Sequence, residues 1–551
     1  MATSKGLIVV KGTVIINHKC KFTIIHNLLQ ALSSCKKAEA HHTDYYYPYC
    51  GITIFKKAKA QKSLKPPTTR TLTILYEQQT VSSIYYLTKP AHQFYVLNIA
   101  FCQRIVKDPY HILNLGRMLI YLVLWCLSGW TLLLGTSASL LRPRTQSACD
   151  RFLHCLSLPL SITKGRILIH ILVHHIVILP LAAYLWTIDE VLFASYRTGH
   201  ISKPVILLSV PRAGTTSFHR TLALDPNLIT PRTSEIVMPF ICVNIILNYL
   251  QDRYPSFLNR IENILKKLNG VTQAVEDRHP ISLFSPEADD VLMGEWHWVA
   301  VGAIRTFPVL RYWWEHYNFS SFDTLERNRI LSFHSSVCKK VLYLRGISGG
   351  GIGMKRLLLR SHLSPCIDDF KKLYLDAIFI GIFRNPVDVL RSFAGLSDIV
   401  IYSATGVRML QPLHHHTTGE ESKFQCSPNT IDRTNLKIWP DGMQVILDDM
   451  MGREARLHSE SIGFHTGKIT FHEFKDDPVA SIKTLYQQVG LEMRDEFVSN
   501  MKPRLDTHWE YKKDHQYHNP TFSEMGVDED RFLSMPGVKL NSSMLNGATR
   551  S

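Results

Sequence analysis

A short stretch in the middle of the chain combines residue types that bind a phosphate or sulfate group. It runs Pro211-Arg-Ala-Gly-Thr-Thr-Ser217, here called the anion loop, and it follows the apolar run Val205–Val210. Gly214 lets the backbone approach an anion closely, and the first N–H groups of the helix expected over 215–224 have no partner within that helix. Arg212 adds a delocalised cation suited to phosphate or sulfate oxygens. The candidate anion ligands are Arg212, Ala213, Gly214, Thr215, Thr216 and Ser217.

The anion loop differs from the loop that binds ATP or GTP, whose pattern is G-x-x-x-x-G-K-[ST]. When the two are aligned on Gly214, Ser209 replaces the first glycine and Thr215 replaces the lysine. That lysine would reach the outer phosphates of the nucleotide. Its absence disfavours a nucleotide kinase, which stays as the alternative enzyme class.

A second stretch, Gly381–Ser392, offers another anion site. Arg384 directly follows the apolar run Asp376–Phe383, and Ser392 lies eight residues further on. A guanidinium in such a place binds a phosphate through two parallel hydrogen bonds. Taken alone, an arginine at a helix start is most often a surface charge. Because it follows the anion loop in the chain, at the same kind of turn, we predict a second anion site.

Both stretches imply the same supporting elements. An apolar run rich in Val, Ile and Leu leads into a turn and then into a helix, once at 205–224 and once at 376–396. Repeated strand–loop–helix units favour a mostly parallel sheet covered by helices. We therefore predict an α/β fold, a P-loop-like three-layer α/β/α domain over 187–535, followed by a tail at 536–551.

Two apolar segments precede this domain. The 24 residues Met118–Leu141 carry no charge, and at about 1.5 Å per residue they cross a hydrocarbon core about 30 Å thick. The second segment, Ile167–Trp186, is either a second span or a helix lying on the membrane surface. We predict that 117–186 anchors the chain through one or two transmembrane helices. Lys and Arg flank the first segment on both sides, so its orientation stays open.

The distribution of charge excludes one class of partner. Residues 1–116 hold 15 Lys/Arg against 4 Asp/Glu, in a chain whose formal net charge is +16. We interpret this stretch as an irregular, basic N-terminal region that carries no cleaved signal peptide. The domain from 201 onward is close to neutral, so nucleic acid is not expected as a partner. The 11 Cys show no paired zinc-ligand spacing, and His414–His416 lie among loop residues, so we predict no metal site.

At this point the sequence shows a family resemblance. The anion loop closely resembles the 5′-phosphosulfate loop of sulfotransferases that use 3′-phosphoadenosine 5′-phosphosulfate (PAPS), usually P-[RK]-[ST]-G-[ST]-[ST], with Ala213 in place of Ser or Thr. Arg384 and Ser392, with Pro386 between them, resemble the site that the family uses for the 3′-phosphate. The resemblance implies transfer of a sulfuryl group from PAPS to a hydroxyl or amine, without a metal.

Weaker likenesses extend over roughly Asp189 to Asp530. Arg356–His362 resembles the family's W-x-x-K-[ST]-P-x-H strand end, with Arg360 in place of the lysine. Lys468–Leu491 resembles a late strand and helix, and His515–Tyr517 resembles a C-terminal H-x-Y element near the co-substrate.

The resemblance also implies candidates for catalysis. Asp277–Asp290 resembles a family stretch near the acceptor. His279 is the first candidate for the general base, because an imidazole titrates near working pH. Glu287 is the second, and it would need a pKa raised by burial. Arg212 would hold the sulfonate, and Glu235 is a further candidate on the acceptor side.

We therefore expect a membrane-anchored sulfotransferase whose domain faces the Golgi lumen. A carbohydrate acceptor is favoured over a sterol, a lipid or a tyrosine, and membrane lipid is the expected surrounding partner. Glycosylation sequons begin at Asn318 and Asn541. A membrane protein without catalytic activity is the remaining alternative.

Overall fold

The computed structural model describes residues 9–10, 13–14, 115–142, 169, 172–268, 271, 273–297, 319, 322–349, 355–362, 366–405, 433–459, 465–514 and 519–548. The chain forms two compact units, Met1–Tyr76 and Glu77–Ser551. In the first unit, the described residues form two antiparallel strands, β1 (Val9–Val10) and β2 (Thr13–Val14). All other described residues belong to the second unit. His414–His416 and His515–Tyr517 lie outside the described residues.

The second unit is built on a five-stranded sheet in the order β4–β5–β3–β6–β7. Every neighbouring pair in it is parallel, which confirms the predicted mostly parallel α/β sheet. The central strand β3 has β5 on one side and β6 on the other, so the turns that follow these three strands meet at one edge. The strands are β3 (Val205–Leu208), β4 (Leu228–Ile229), β5 (Arg356–Ser361), β6 (Ile378–Phe383) and β7 (His465–Thr470).

The helices surround this sheet. In chain order they are α1 (Leu115–Gly135), α2 (Leu179–Leu192), α3 (Thr215–Leu222), α4 (Thr233–Val237), α5 (Ile241–Arg253), α6 (Pro255–Leu268), α7 (Gln273–Arg278), α8 (Asp290–His297), α9 (Thr324–Gly349), α10 (Ile367–Leu373), α11 (Pro386–Thr405), α12 (Arg433–Ser459), α13 (Phe471–Asp476), α14 (Pro478–Val489), α15 (Asp495–Asp514), α16 (Phe522–Met525), α17 (Glu529–Ser534) and α18 (Pro536–Ala548). Short 3₁₀ turns cover Ser137–Leu141 and Ala194–Thr198, and a π-helical turn at His174–Ile178 precedes α2.

The sheet separates two hydrophobic cores. Val205 and Leu207 of β3 enter one core, whereas Ile206 and Leu208 enter the other, as expected from the alternation of side chains along a strand. Helices α3, α11, α12 and α14 cover the first core, and α9 and α10 cover the second. The two-sided burial explains why β3 reads as a continuous apolar run.

The predicted C-terminal boundary differs from the structure. The tail predicted at 536–551 contains α18, which packs on α12: the Val538 N–H donates to Asp448 Oδ1 at 2.9 Å. Val538 is buried in the first core, so residue 535 does not end the domain. Asn541 of the predicted sequon is 1% exposed, and a glycan cannot attach to it in the folded chain. Asn318 lies outside the described residues.

The two predicted membrane segments pack against each other and against the domain. The rings of Trp125 and Tyr184 stack with centroids 6.2 Å apart, and Gly129 lies against Pro180 so closely that a Cβ would be 2.4 Å from the proline Cβ. Leu132 and Trp186 are buried in one cluster with Phe333 of α9. Residues before 187 therefore complete the core of the domain.

The prediction of one or two membrane spans stays a prediction. The helix in the first segment ends at Gly135, so 118–141 is not one continuous helix. Among the residues that the structure describes, His174–Leu192 is the helical stretch whose length and mean hydropathy of 1.4 suit a membrane span, and 33% of it is buried. These are criteria of length and composition only.

Candidate functional site

The anion loop joins β3 to α3 through an unusual backbone. Arg212 has a φ of 72° and Gly214 has a φ of 102°, both in the left-handed region that residues other than glycine rarely adopt. A Cβ on Gly214 would lie 2.4 Å from Cδ2 of Phe471, so glycine is required there on two counts. Gly214 caps α3 without a side chain, which leaves the first N–H groups of α3 facing the loop.

The side chains of the loop differ in what they can offer an anion. Ala213 and Thr215 are buried, at 0% and 3% exposure. Thr216 and Ser217 lie in the first turn of α3 and are partly exposed. The side chains of Thr216 and Ser217 are therefore more accessible to an anion than that of Thr215.

The two predicted anion sites meet. Nε of Arg212 donates to Oγ of Ser392 at 3.0 Å, and Nη1 of Arg384 donates to the carbonyl oxygen of Arg212 at 3.1 Å. The backbone of Arg212 thus contacts a cation that directly follows β6, the strand beside β3. Two motifs 172 residues apart in the chain form one continuous basic surface at the edge of the sheet.

An aromatic residue that sequence analysis missed completes this surface. Phe471 begins α13 directly after β7, and its ring centroid lies 4.7 Å from the Arg384 guanidinium. The same ring contacts the backbone at Gly214. Phe471 directly follows a strand, and this position was the signal available in the sequence. In the structure, β6 and β7 end side by side, which brings Phe471 next to Arg384.

A buried arginine lies on the other side of the loop. Arg360, near the end of β5, donates from Nη1 to Oγ1 of Thr216 at 2.8 Å and contacts the carboxylate of Glu287 through Nη2. Its side chain is 2% exposed. In the sequence, Arg360 is recognisable only as part of a strand end. Because β5 neighbours β3, that strand end delivers a cation to the start of α3.

The pKa of Glu287 differs from the one that a general base would need. It is 3% exposed, and burial alone would raise its pKa. Arg360, and after it His279, outweigh this effect and hold the pKa of Glu287 well below its ordinary value. The raised pKa that the role of general base would need is therefore not found, and the carboxylate pairs with Arg360.

Two histidines flank this ion pair. Nε2 of His279 lies 3.4 Å from Oε2 of Glu287, and its side chain is 22% exposed. His362, just beyond β5, donates from Nδ1 to the carbonyl oxygen of Ser209 at 2.7 Å. A carbonyl only accepts, so Nδ1 carries the proton and Nε2 keeps its lone pair. Burial, followed by Arg360, lowers the pKa of His362 to about 3.

Glu235 does not join these groups. It forms an ion pair with Arg345 at 2.9 Å and accepts the N–H of Arg232 at 2.9 Å, which caps α4. These contacts tie Glu235 to α4 and to Arg345 of α9. A cavity of about 720 Å³ lies beside it, along the outer side of the edge strand β4; its lining includes Thr230, Arg232, Asn248, Gln251, Phe284 and Pro286.

A buried carboxyl group contacts the backbone directly before the anion loop. Oε2 of Glu454, on α12, accepts the N–H of Val210 at 3.3 Å, and Glu454 is 1% exposed. Burial raises its pKa to about 8, although Ser209 and the Val210 N–H oppose the shift. The group is therefore protonated at neutral pH and adds no negative charge beneath the anion site.

This raised pKa makes stability depend on pH. The folded chain binds the Glu454 proton more tightly than the unfolded chain, so the contribution is complete at low pH and is lost as pH rises towards 8. We expect Glu454→Gln to gain stability relative to the wild type between pH 5 and pH 8, on the order of 3 kcal/mol. Unfolding midpoints of both proteins at the two pH values test this. Glu492→Gln, at a carboxylate 80% exposed, is the control, and parallel pH profiles for Glu454→Gln and wild type would contradict the assignment.

Comparisons with known proteins give structural likenesses only. No protein-family model and no curated protein matches the sequence. Similar solved structures include the sulfotransferase STF9 from Mycobacterium avium (15% identity, 71% of this chain, 88% of that chain, TM-score 0.48), the sulfotransferase STF1 from Mycobacterium tuberculosis (15%, 65%, 82%, 0.42) and the sulfotransferase domain of the Synechococcus olefin synthase (13%, 63%, 96%, 0.27). All three are sulfotransferases. Likenesses with TM-scores below 0.5 carry no argument about function, so the function is inferred from the site residues alone.

Proposed function

We propose that the chain is a sulfotransferase that moves a sulfuryl group from PAPS to a hydroxyl or amine acceptor. One observation carries the proposal: Arg384 touches the backbone of the anion loop, at 3.1 Å from the Arg212 carbonyl oxygen. A nucleotide with anionic groups at both its 5′ and 3′ positions can therefore reach both sites at once. ATP has no 3′-phosphate for Arg384 and would not find here the lysine that its own loop provides.

The residues present fit this co-substrate. The N–H groups at the start of α3, with Arg212 and Thr216, would hold the 5′-phosphosulfate. Arg384 and Ser392 would hold the 3′-phosphate, and the Phe471 ring lies between the two sites. PAPS supplies the sulfuryl group and departs as 3′-phosphoadenosine 5′-phosphate (PAP).

The protein's own groups would then perform two tasks. Nε2 of His279, which lies 3.4 Å from the Glu287 carboxylate, would accept the proton of the acceptor hydroxyl, with Nε2 of His362 as the alternative base. Arg360 and the loop N–H groups would stabilise the negative charge on the oxygens of the transferred group and of the leaving group. Because Glu287 is paired with Arg360, it would orient that guanidinium rather than take a proton.

We further propose a carbohydrate acceptor and attachment to a membrane, with the domain in the Golgi lumen. The cavity along β4 suits this, because 720 Å³ falls within the range of small-ligand sites and amide and hydroxyl groups line it. Pro286 in its wall directly precedes Glu287. For the membrane, α1 and α2 leave large apolar side chains exposed, including Val123 at 55%, Leu134 at 64% and Val191 at 74%.

The test uses the full chain in detergent, because residues before 187 belong to the core. We expect binding of PAP and PAPS by calorimetry at least about 100-fold tighter than binding of ATP with Mg²⁺. Labelled sulfate should then pass from PAPS to one member of a panel of glycan, lipid, sterol and peptide acceptors. Preference for ATP would favour a kinase, and binding of PAPS without transfer to any acceptor would favour a protein without catalysis.

A further inference from the structure

An apolar surface lies on the outer side of α5 and α6. Five large side chains there, here called the α5–α6 face, are between 54% and 59% exposed: Ile246, Tyr249, Tyr254, Phe257 and Ile264. Soluble proteins seldom expose so many large apolar side chains on neighbouring turns. The two helices follow each other directly and contact each other, so these residues belong to one surface.

Cations border this surface. On α6, Leu258 is buried at 1%, and Phe257 and Ile264 form an exposed stripe two turns long. Arg260 and Lys267, both exposed, each follow a member of that stripe by three residues and therefore lie next to it on the helix. An exposed apolar stripe flanked by Lys and Arg, with tyrosines at its edge, is typical of a helix in the plane of a membrane interface.

A rigid joint connects this surface to α2. The carboxylate of Asp189, near the end of α2, accepts the N–H groups of Ile241 at 2.7 Å and Cys242 at 3.0 Å. Nζ of Lys340 contacts the same carboxylate at 2.9 Å, and Asp189 is 0% exposed. The start of α5 is thereby fixed to α2. On α2 itself, Val191, two residues after Asp189, is 74% exposed, so an apolar side chain is also exposed beside this joint.

We propose that the α5–α6 face lies on a lipid bilayer, with Arg253, Arg260 and Lys267 against anionic headgroups. Apolar side chains on such a helix enter the headgroup region while cationic ones stay at the polar surface. The proposal rests on the membrane attachment proposed above, but not on sulfuryl transfer. Asn248 and Gln251 of the same helix α5 line the cavity, so this contact brings the cavity close to acceptors carried by the membrane.

The test identifies the molecules that contact the α5–α6 face in the full chain. The protein is reconstituted into vesicles of phosphatidylcholine with a minority of phosphatidylserine. Phe257→p-benzoylphenylalanine and, separately, Ile264→p-benzoylphenylalanine are irradiated, and lipid adducts are measured by mass spectrometry. The matched control is Leu375→p-benzoylphenylalanine, because Leu375 is a large side chain 78% exposed between α10 and β6. We expect about tenfold more lipid adduct from positions 257 and 264 than from 375.

The charge requirement gives a second readout. Omitting phosphatidylserine, or combining Arg260→Gln with Lys267→Gln, should lower the adduct yield at position 257 about threefold or more. Lipid yields equal to those of the Leu375 control, or adducts to a second protein chain instead of lipid, would overturn the proposal. Since no outcome depends on PAPS, failure here is distinguishable from failure of the proposed enzymatic function.

Discussion

Arg384→Ala is expected to weaken binding of PAP about 10- to 100-fold, since a hydrogen-bonded charged pair contributes about 1.5–3 kcal/mol. Binding of AMP, which lacks the 3′-phosphate, should change little. The reason is that the groups we assign to the 5′-phosphate, which are the N–H groups at the start of α3 with Arg212 and Thr216, all remain in the variant, whereas the guanidinium on the 3′ side is removed. Calorimetric titrations of both nucleotides into wild type and variant measure the difference.

Two further variants separate this effect from damage to the loop. Arg384→Lys keeps the charge but loses the planar fork, so it should fall between wild type and Arg384→Ala. Arg494→Ala removes a surface arginine that is 53% exposed and should bind PAP like the wild type. If Arg384→Ala weakened AMP as strongly as PAP, the arginine would be supporting the loop rather than reading a 3′-phosphate.

The local elements of the site were predictable from the sequence. Strand β3 and helix α3 follow from an apolar run that ends at a loop with Gly214, and β6 with α11 follows from the same logic around Arg384. Each prediction uses residues within about 20 positions, where period and turn chemistry are informative. The structure shifts the ends of these elements slightly: β3 ends at Leu208 and α11 continues to Thr405.

The remaining site residues depend on the order of the strands. Arg360 and His362 reach the anion loop because β5 pairs with β3, although 144 residues separate Arg360 from Thr216. Phe471 reaches Gly214 because β7 pairs with β6. Strand order in a parallel sheet is set by the crossover helices and the cores they bury, which a single sequence does not show. The lowered pKa of Glu287 was not predictable for the same reason, since its partner Arg360 comes from a distant strand.

The start of the domain is hard to place from the sequence for a different physical reason. An uncharged run such as 118–141 satisfies a lipid environment and a protein core equally well, because both are apolar. Here Leu133 and Leu141 are fully buried, whereas Val123 and Leu127 are more than half exposed. Leu134, next to Leu133, is 64% exposed. The segment thus places some apolar side chains in the core and exposes others, and composition alone does not distinguish the two sets.

His279→Asn is expected to lower kcat about 10²- to 10⁴-fold, the usual contribution of a general base, with little change in binding of PAP. The His279 side chain is 22% exposed, so an acceptor can reach this imidazole. His362→Asn is the matched variant, because it removes the other imidazole near Glu287 while asparagine keeps a donor for the Ser209 carbonyl oxygen. We expect a smaller loss of kcat from it, since its lowered pKa makes the His362 imidazole a weak proton acceptor.

The pH profile of the wild type provides an independent check on that base. Burial and Arg360 lower the pKa of His362 to about 3, so a kcat/KM profile governed by that imidazole would show no acid limb between pH 5 and pH 8. An acid limb in that window would therefore not come from His362 and would support His279. A profile without an acid limb, combined with a larger loss of kcat in His362→Asn than in His279→Asn, would transfer the role of base to His362.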